Sequence, residues 1–175
     1  VFDNKGNLEP LVGYPVRGFA YPFGSYSQLL LQLMPSWGIV YGRVVPTTNY
    51  FRLPSNVLLW RGSGHHSAAE ALGNRLLGYH TAEMALLFIW GHSWEFDQEV
   101  PQNSWSYIEN FCKMMGGHED IWYASAIEVA DYLNALRAVK ISGTSFVNPS
   151  PLSVCVKQGE QLVELKPHGK QVIHF

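Results

Sequence analysis

The chain has 175 residues, 47% of them hydrophobic and 15% charged, and its 12 Lys and Arg against 14 Asp and Glu give a formal net charge of −2. A chain of this length buries roughly 70% of its unfolded surface, which excludes a staple-dependent mini-protein, and the charge balance excludes a disordered chain and a polybasic nucleic-acid arm. The aromatic share of 14%, with 16 Gly and 10 Pro, fits a loop-rich α/β or β domain with aromatic-lined clefts. Cys112 and Cys155 show no zinc-knuckle, redox-pair or disulfide-framework spacing. The longest apolar run, Ala85 to Trp90, falls far short of the roughly 20 residues of a membrane helix.

In chain order, the polar stretch from Val1 to Gly13 reads as a loop or frayed element. Val16 to Ala20 is the first expected strand, and after Tyr21-Pro22-Phe23-Gly24, Ser25 is the N-cap expected for a helix through Trp37. Gly38 stops that helix, Ile39 to Val45 is the next strand, and Pro46 to Asn56 is an irregular loop. Ala68, Ala71, Leu72, Leu76 and Leu77 stand at helical spacing within Ser67 to Tyr79, and Ala85 to Trp90 follows as a buried-type strand. A helix over Trp105 to Met115, stopped by Gly116 and Gly117, precedes a short strand at Ile121 to Ala124 and a helix over Ser125 to Val139. This alternation predicts parallel βα units through about residue 140. From residue 141 on, Phe146–Val147, Leu152–Val156, Leu162–Leu165 and Val172–Phe175 alternate with turn dipeptides, predicting a small antiparallel β appendage.

In parallel α/β folds reactive groups collect where strands end, and two strand exits draw attention. At Tyr21-Pro22-Phe23-Gly24 a tight turn can aim backbone N–H groups at an oxyanion, although such a turn also serves merely to connect strand and helix. At Trp90-Gly91-His92-Ser93-Trp94-Glu95-Phe96-Asp97 a strand delivers a histidine that can protonate a leaving amine, with Glu95 or Asp97 to orient it; the opposing reading is a hydrogen-bonded loop histidine with solvated acids. His65-His66 has the right chemistry for a metal, yet neighbours in a strand point to opposite faces and no HxH, HxxxH or HExxH spacing accompanies them, so only a loop would converge them. Arg17 and Arg43 are candidates to clamp a carboxylate or to form strand-end ion pairs. No P-loop, GxGxxG or GxSxG is present.

Taken together, GFAYPFGSY at Gly18 to Tyr26, YGR at Tyr41 to Arg43, LPSNVLLW at Leu53 to Trp60, GHH at Gly64 to His66 and WGHSWEFD at Trp90 to Asp97 resemble the C-terminal half of the polysaccharide deacetylases, the chitooligosaccharide and peptidoglycan N-deacetylase group. DIWYAS at Asp120 to Ser125 and NPS at Asn148 to Ser150 add to the likeness, which runs from about Leu8 to Phe175. The resemblance implies an α/β fold, a partial (β/α) barrel over residues 1–140 carrying the β appendage of 141–175, and hydrolysis of the non-peptide C–N amide bond of an N-acetylated amino sugar. It implies His92 as general acid, the backbone N–H of Phe23 as an oxyanion donor, and Tyr21, Trp60, Trp94 and Arg43 as substrate-binding residues. The family's Arg-Pro-Pro-Tyr-Gly motif has Ala20 at its Arg position, and Asn56 and Leu59 stand where its Asp-x-x-Asp-Trp motif has carboxylates, so support for His92 is expected from Glu95 or Asp97.

The family's divalent, zinc-like metal and its water-activating base come from motifs absent from these residues, so the expectation is metal ligands upstream of Val1 and little turnover by the chain alone. A carbohydrate substrate and a second chain or copy covering the open barrel edge are the expected partners, with neither nucleic acid nor membrane among them. The alternative is a non-catalytic carbohydrate-binding or assembly module in which Tyr21, Trp60, Trp90 and Trp94 stack on sugars.

Overall fold

The computed structural model describes residues 1–81, 83–98, 100–158 and 161–172. The chain divides into two compact units, Val1–Trp122 and Tyr123–Phe175.

The N-terminal unit opens with α1 (Phe2–Val12), where a loop is expected from sequence; a Lys5–Glu9 ion pair one turn apart and a left-handed Gly13 cap close it, and none of its residues is buried. Next come β1 (Gly18–Ala20) and α2 (Gln28–Leu33), whose N-cap is Ser27 rather than Ser25 because the Ser27 hydroxyl accepts the N–H of Leu30. Pro35 cannot donate to the helical ladder, so the helix tightens into a 3-10 turn over Met34–Trp37 and ends at left-handed Gly38. The strands β2 (Tyr41–Val44), β3 (Trp60–Arg61) and β4 (Gly64–His65) follow, then α3 (Ala69–Leu77), β5 (Ile89–Trp90) and α4 (Trp105–Met115).

The strand ladders described in this unit are parallel: β1 with β2, β2 with β3, and β4 with β5. Because β3 and β4 are two parts of one stretch, Trp60–His65 joins both ladders, and neither closes into a barrel. Only the end of the expected Ala85–Trp90 strand makes ladder pairs, because the buried Ser63 side chain takes over part of the bonding. Its hydroxyl donates to Leu86 O at 3.1 Å and accepts from Phe88 N at 3.1 Å. The core beneath β1 and β2 is Tyr21, Met34, Ile39 and Val44, with Phe19, Leu30, Trp37, Leu58 and Leu59 packed around it. Gly73 lets α3 approach α4, since a Cβ there would lie 2.6 Å from Met114 Cε. Tyr107 of α4 ties to the start of α3, its hydroxyl accepting from Glu70 N and donating to Ser67 O.

The unit from Tyr123 onward contains α5 (Ala126–Ala138), begun by a capping box between Ser125 and Glu128. The expected strand at Ile121 to Ala124 makes no ladder among the described residues. β6 (Lys140–Ser142), β7 (Ser145–Val147) and β10 (Lys170–Val172) form one antiparallel sheet, and β8 (Val154–Gln158) with β9 (Gln161–Leu165) a second. The last three residues of the Val172–Phe175 strand expected from sequence lie outside the described residues. Helix α5 groups with these strands and not with the preceding βα units, because Ala135 packs with Val154 and Leu165 in one buried cluster.

Candidate functional site

The parallel strands of the N-terminal unit all point the same way, so the segments after β1, β4 and β5 leave from their C-terminal ends. After β5, Gly91 leads into a 3-10 turn over Ser93–Gln98. Glu95 reaches back across the first turn, and its Oε2 accepts the backbone N–H of His92 at 3.0 Å, as an acidic residue does at a helix start. The same oxygen lies 3.0 Å from His92 Nδ1, so one local motif fixes both the backbone and the ring of His92. The His92 side chain is 48% exposed, and Nε2 has no partner among the described residues.

After β4 the two adjacent histidines converge instead of diverging. His65 is still extended, at φ −73° and ψ 154°, whereas His66 starts a 3-10 turn over His66–Ala68, so strand alternation no longer separates the side chains. Their ring centroids are 4.1 Å apart. His65 Nε2 lies 3.1 Å from Glu95 Oε2 and His66 Nδ1 lies 3.6 Å from it. Ligand atoms of His65, His66 and Glu95 all fall within 4.8 Å of one another, making these the residues that could hold a metal ion. Burial would raise the Glu95 carboxyl, but the hydrogen bonds from His92 and His65 and the nearby His65 charge outweigh it and hold the group below the ordinary carboxylate range.

Aromatic rings surround this cluster. Trp90 packs edge-on to His65 at 4.9 Å, Phe96 to His66 at 4.7 Å, and the exposed Trp94 stacks on His92 at 5.6 Å. The Arg43 guanidinium sits 4.5 Å over the Trp90 ring; burial lowers its affinity for its proton, and its Nη1 is buried without a hydrogen-bond partner. No protein-family model matches the chain, and no curated protein or solved structure does either.

Of the residues singled out from sequence, His92 and Trp94 are exposed at the cluster, and Arg43 touches it through Trp90. Phe23 lies at the exit of β1, its side chain 97% exposed and its backbone left-handed at φ 54° and ψ 14°. Its N–H takes no part in the two hydrogen bonds of that turn, from Gly24 N to Tyr21 O and from Ser25 N to Pro22 O. Tyr21 and Trp60 are each 2% exposed; Tyr21 packs in the core with its hydroxyl bonded to Leu58 O, and Trp60 packs against Tyr41 and Phe88, so neither ring offers a face to a sugar. Asn56 accepts from Leu58 N and caps a short turn, and Asp97 accepts from Trp105 Nε1, which leaves Glu95 as the carboxylate beside His92. Sequence reasoning overlooked Asn103, whose Oδ1 lies 2.8 Å from His66 Nε2; its only sequence cue is its place in the polar turn before α4.

Proposed function

We propose that the protein takes part in hydrolysing the amide of an N-acetylated amino sugar, with His92 as the general acid. The observation that supports this is the His92–Glu95 pair: a half-exposed imidazole whose Nδ1 is tied to a carboxylate 3.0 Å away and whose Nε2 is left to meet substrate. In this reaction water adds to the acetyl carbonyl carbon and releases a proton to solvent. The C–N bond then breaks with its electron pair staying on nitrogen, and His92 Nε2–H supplies the proton that makes the departing group a neutral amine. Glu95, accepting from Nδ1, orients the ring and stabilises the imidazolium that carries the second proton on Nε2. The unused N–H of Phe23 is the candidate donor to the carbonyl oxygen as it becomes negative. Arg43 and the exposed Trp94 are the candidate contacts to the sugar. A bound divalent cation supplies polarisation of the amide carbonyl in such chemistry, and His65, His66 and Glu95 are the side chains present that would hold one.

The test is acetate release from N-acetylglucosamine oligomers by the protein. Replacing a general acid removes roughly 10²–10⁴-fold of rate, so His92→Ala is expected to lower kcat by that amount with little change in KM. An unchanged kcat sinks the reading. Exposed Trp94, stacked on His92, favours one rival, a non-catalytic carbohydrate-binding module. That reading predicts sugar binding that quenches indole fluorescence, is lost in Trp94→Ala and survives His92→Ala.

A further inference from the structure

His66 has a nitrogen that its protein neighbours do not explain. Its side chain is 2% exposed, and Nε2 lies 2.8 Å from Asn103 Oδ1. The carboxamide presents its oxygen there because its own Nδ2 donates to Gln98 Oε1 at 3.0 Å. Nε2 therefore carries a proton, and in the neutral form of the ring Nδ1 turns a lone pair inward. That buried Nδ1 has no hydrogen-bond partner, and the Glu95 carboxylate oxygen stands 3.6 Å in front of it. A lone pair facing a carboxylate is repulsive unless something positive, a ring proton or a bound cation, lies between them. Only glycine fits beside that face of the ring at position 91, since a Cβ there would sit 2.0 Å from Nδ1.

We propose that His65 Nε2, His66 Nδ1 and the Glu95 carboxylate form a binding site for a divalent transition cation of the zinc class. Two ligand atoms each about 2.0–2.1 Å from a tetrahedral ion are about 3.3–3.4 Å apart. The separations of 3.1 and 3.6 Å from the two imidazoles to Glu95 Oε2 bracket that value. Two imidazoles and one carboxylate are a donor set that suits zinc and leaves a coordination position open. Asn103 on His66 Nε2 is the outer-shell contact that fixes a ligating tautomer; His65 Nδ1 as it stands accepts the Ser67 N–H at 3.5 Å with Ser67 Oγ 3.1 Å away, and ligation through Nε2 would move the ring proton to Nδ1, where that hydroxyl can accept it. The site does not rest on the amide-hydrolysis reading, and its test reads metal directly, so either can fail alone.

The chain is stripped with a chelator and titrated with Zn²⁺ by calorimetry and with Co²⁺ by visible absorption. One equivalent per chain is expected, with a cobalt spectrum of low-coordinate nitrogen and oxygen ligation. Losing an outer-shell partner costs about 10–100-fold in affinity, which is the loss expected for Asn103→Ala; His65→Ala and Glu95→Gln remove ligands and should each exceed it. His80→Ala, at an exposed histidine outside the cluster, should bind as the parent does. His65 and Glu95 are partly exposed, so these variants keep the test alive even if His66→Ala fails to fold; far-UV circular dichroism checks each variant. Equal affinity in all variants, or no binding by the folded parent above that of a His65→Ala, Glu95→Gln double variant, overturns the proposal. So does a nitrogen NMR shift showing His66 Nδ1 protonated while zinc is in excess.

Discussion

Asn148 is fully buried and holds the C-terminal unit together by its side chain. Its Nδ2 donates to Leu152 O at 2.7 Å, Leu165 O at 3.1 Å and Lys166 O at 3.0 Å, while its Oδ1 accepts from Ser150 N at 3.0 Å and Ser150 Oγ at 2.7 Å. One carboxamide thus ties the end of β7 to the loop before β8 and to the end of β9. Each such bond contributes a net of about 0.5–1.5 kcal/mol, and carbonyls stranded away from water cost more than the bond returns. Removing the whole set in Asn148→Ala should therefore cost about 3–5 kcal/mol. The assay is amide hydrogen exchange in β8 and β9, where a loss of that size speeds opening by roughly 10²–10⁴-fold. Asn148→Asp matches the shape but sets an acceptor among three carbonyl oxygens, so it should be no milder. Exchange accelerated less than about tenfold in Asn148→Ala, equivalent to about 1.4 kcal/mol, refutes the reasoning.

The remaining expectations concern caps, core and turn. The Ser125 hydroxyl, followed by its backbone N–H, holds the Glu128 carboxyl below the ordinary range. A lowered carboxyl stabilises fully above its ordinary value, and that contribution is lost as pH falls through the lowered one. The Tm gap between the parent and Glu128→Ala should accordingly be present at neutral pH and close in acid, and a gap that persists there contradicts the cap; Ser125→Ala should cost about 1 kcal/mol. Met34 is completely enclosed with Tyr21, Ile39 and Val44, so Met34→Ala should lose about 2–5 kcal/mol in urea unfolding followed by circular dichroism, and a loss below 1 would contradict that packing. Phe23 holds a left-handed backbone that costs an L-residue about 1–2 kcal/mol. Phe23→Gly should therefore raise Tm slightly or leave it unchanged, and a clear fall would mean that the phenyl ring packs where it now stands exposed.

The helices over Trp105–Met115 and Ala126–Ala138 were legible because an N-cap serine precedes a helix-period pattern, and glycines follow the first of them. Three things were harder to see. Residues Phe2–Val12 carry too little apolar periodicity to announce a helix, and its supports, Lys5–Glu9 and Gly13, are local and weak. The apolar run before Trp90 reads as a ladder strand, yet one serine hydroxyl stands in for the ladder. His65 and His66 converge because the strand ends between them, and strand ends are where sequence patterning is least exact. The Glu95–His92 pairing was open to view, since an acid three residues past a strand-exit histidine reaches back to it by simple turn geometry.

The division into two units also settles how each can be watched. All six tryptophans, Trp37, Trp60, Trp90, Trp94, Trp105 and Trp122, fall in Val1–Trp122, whereas Tyr123 and Tyr132 belong to the other unit. Indole emission is thus a private reporter of the first unit and blind to the second. Melting curves recorded by indole light and by backbone ellipticity would superimpose only if the halves come apart in concert, and two displaced curves would mark them as separately cooperative bodies.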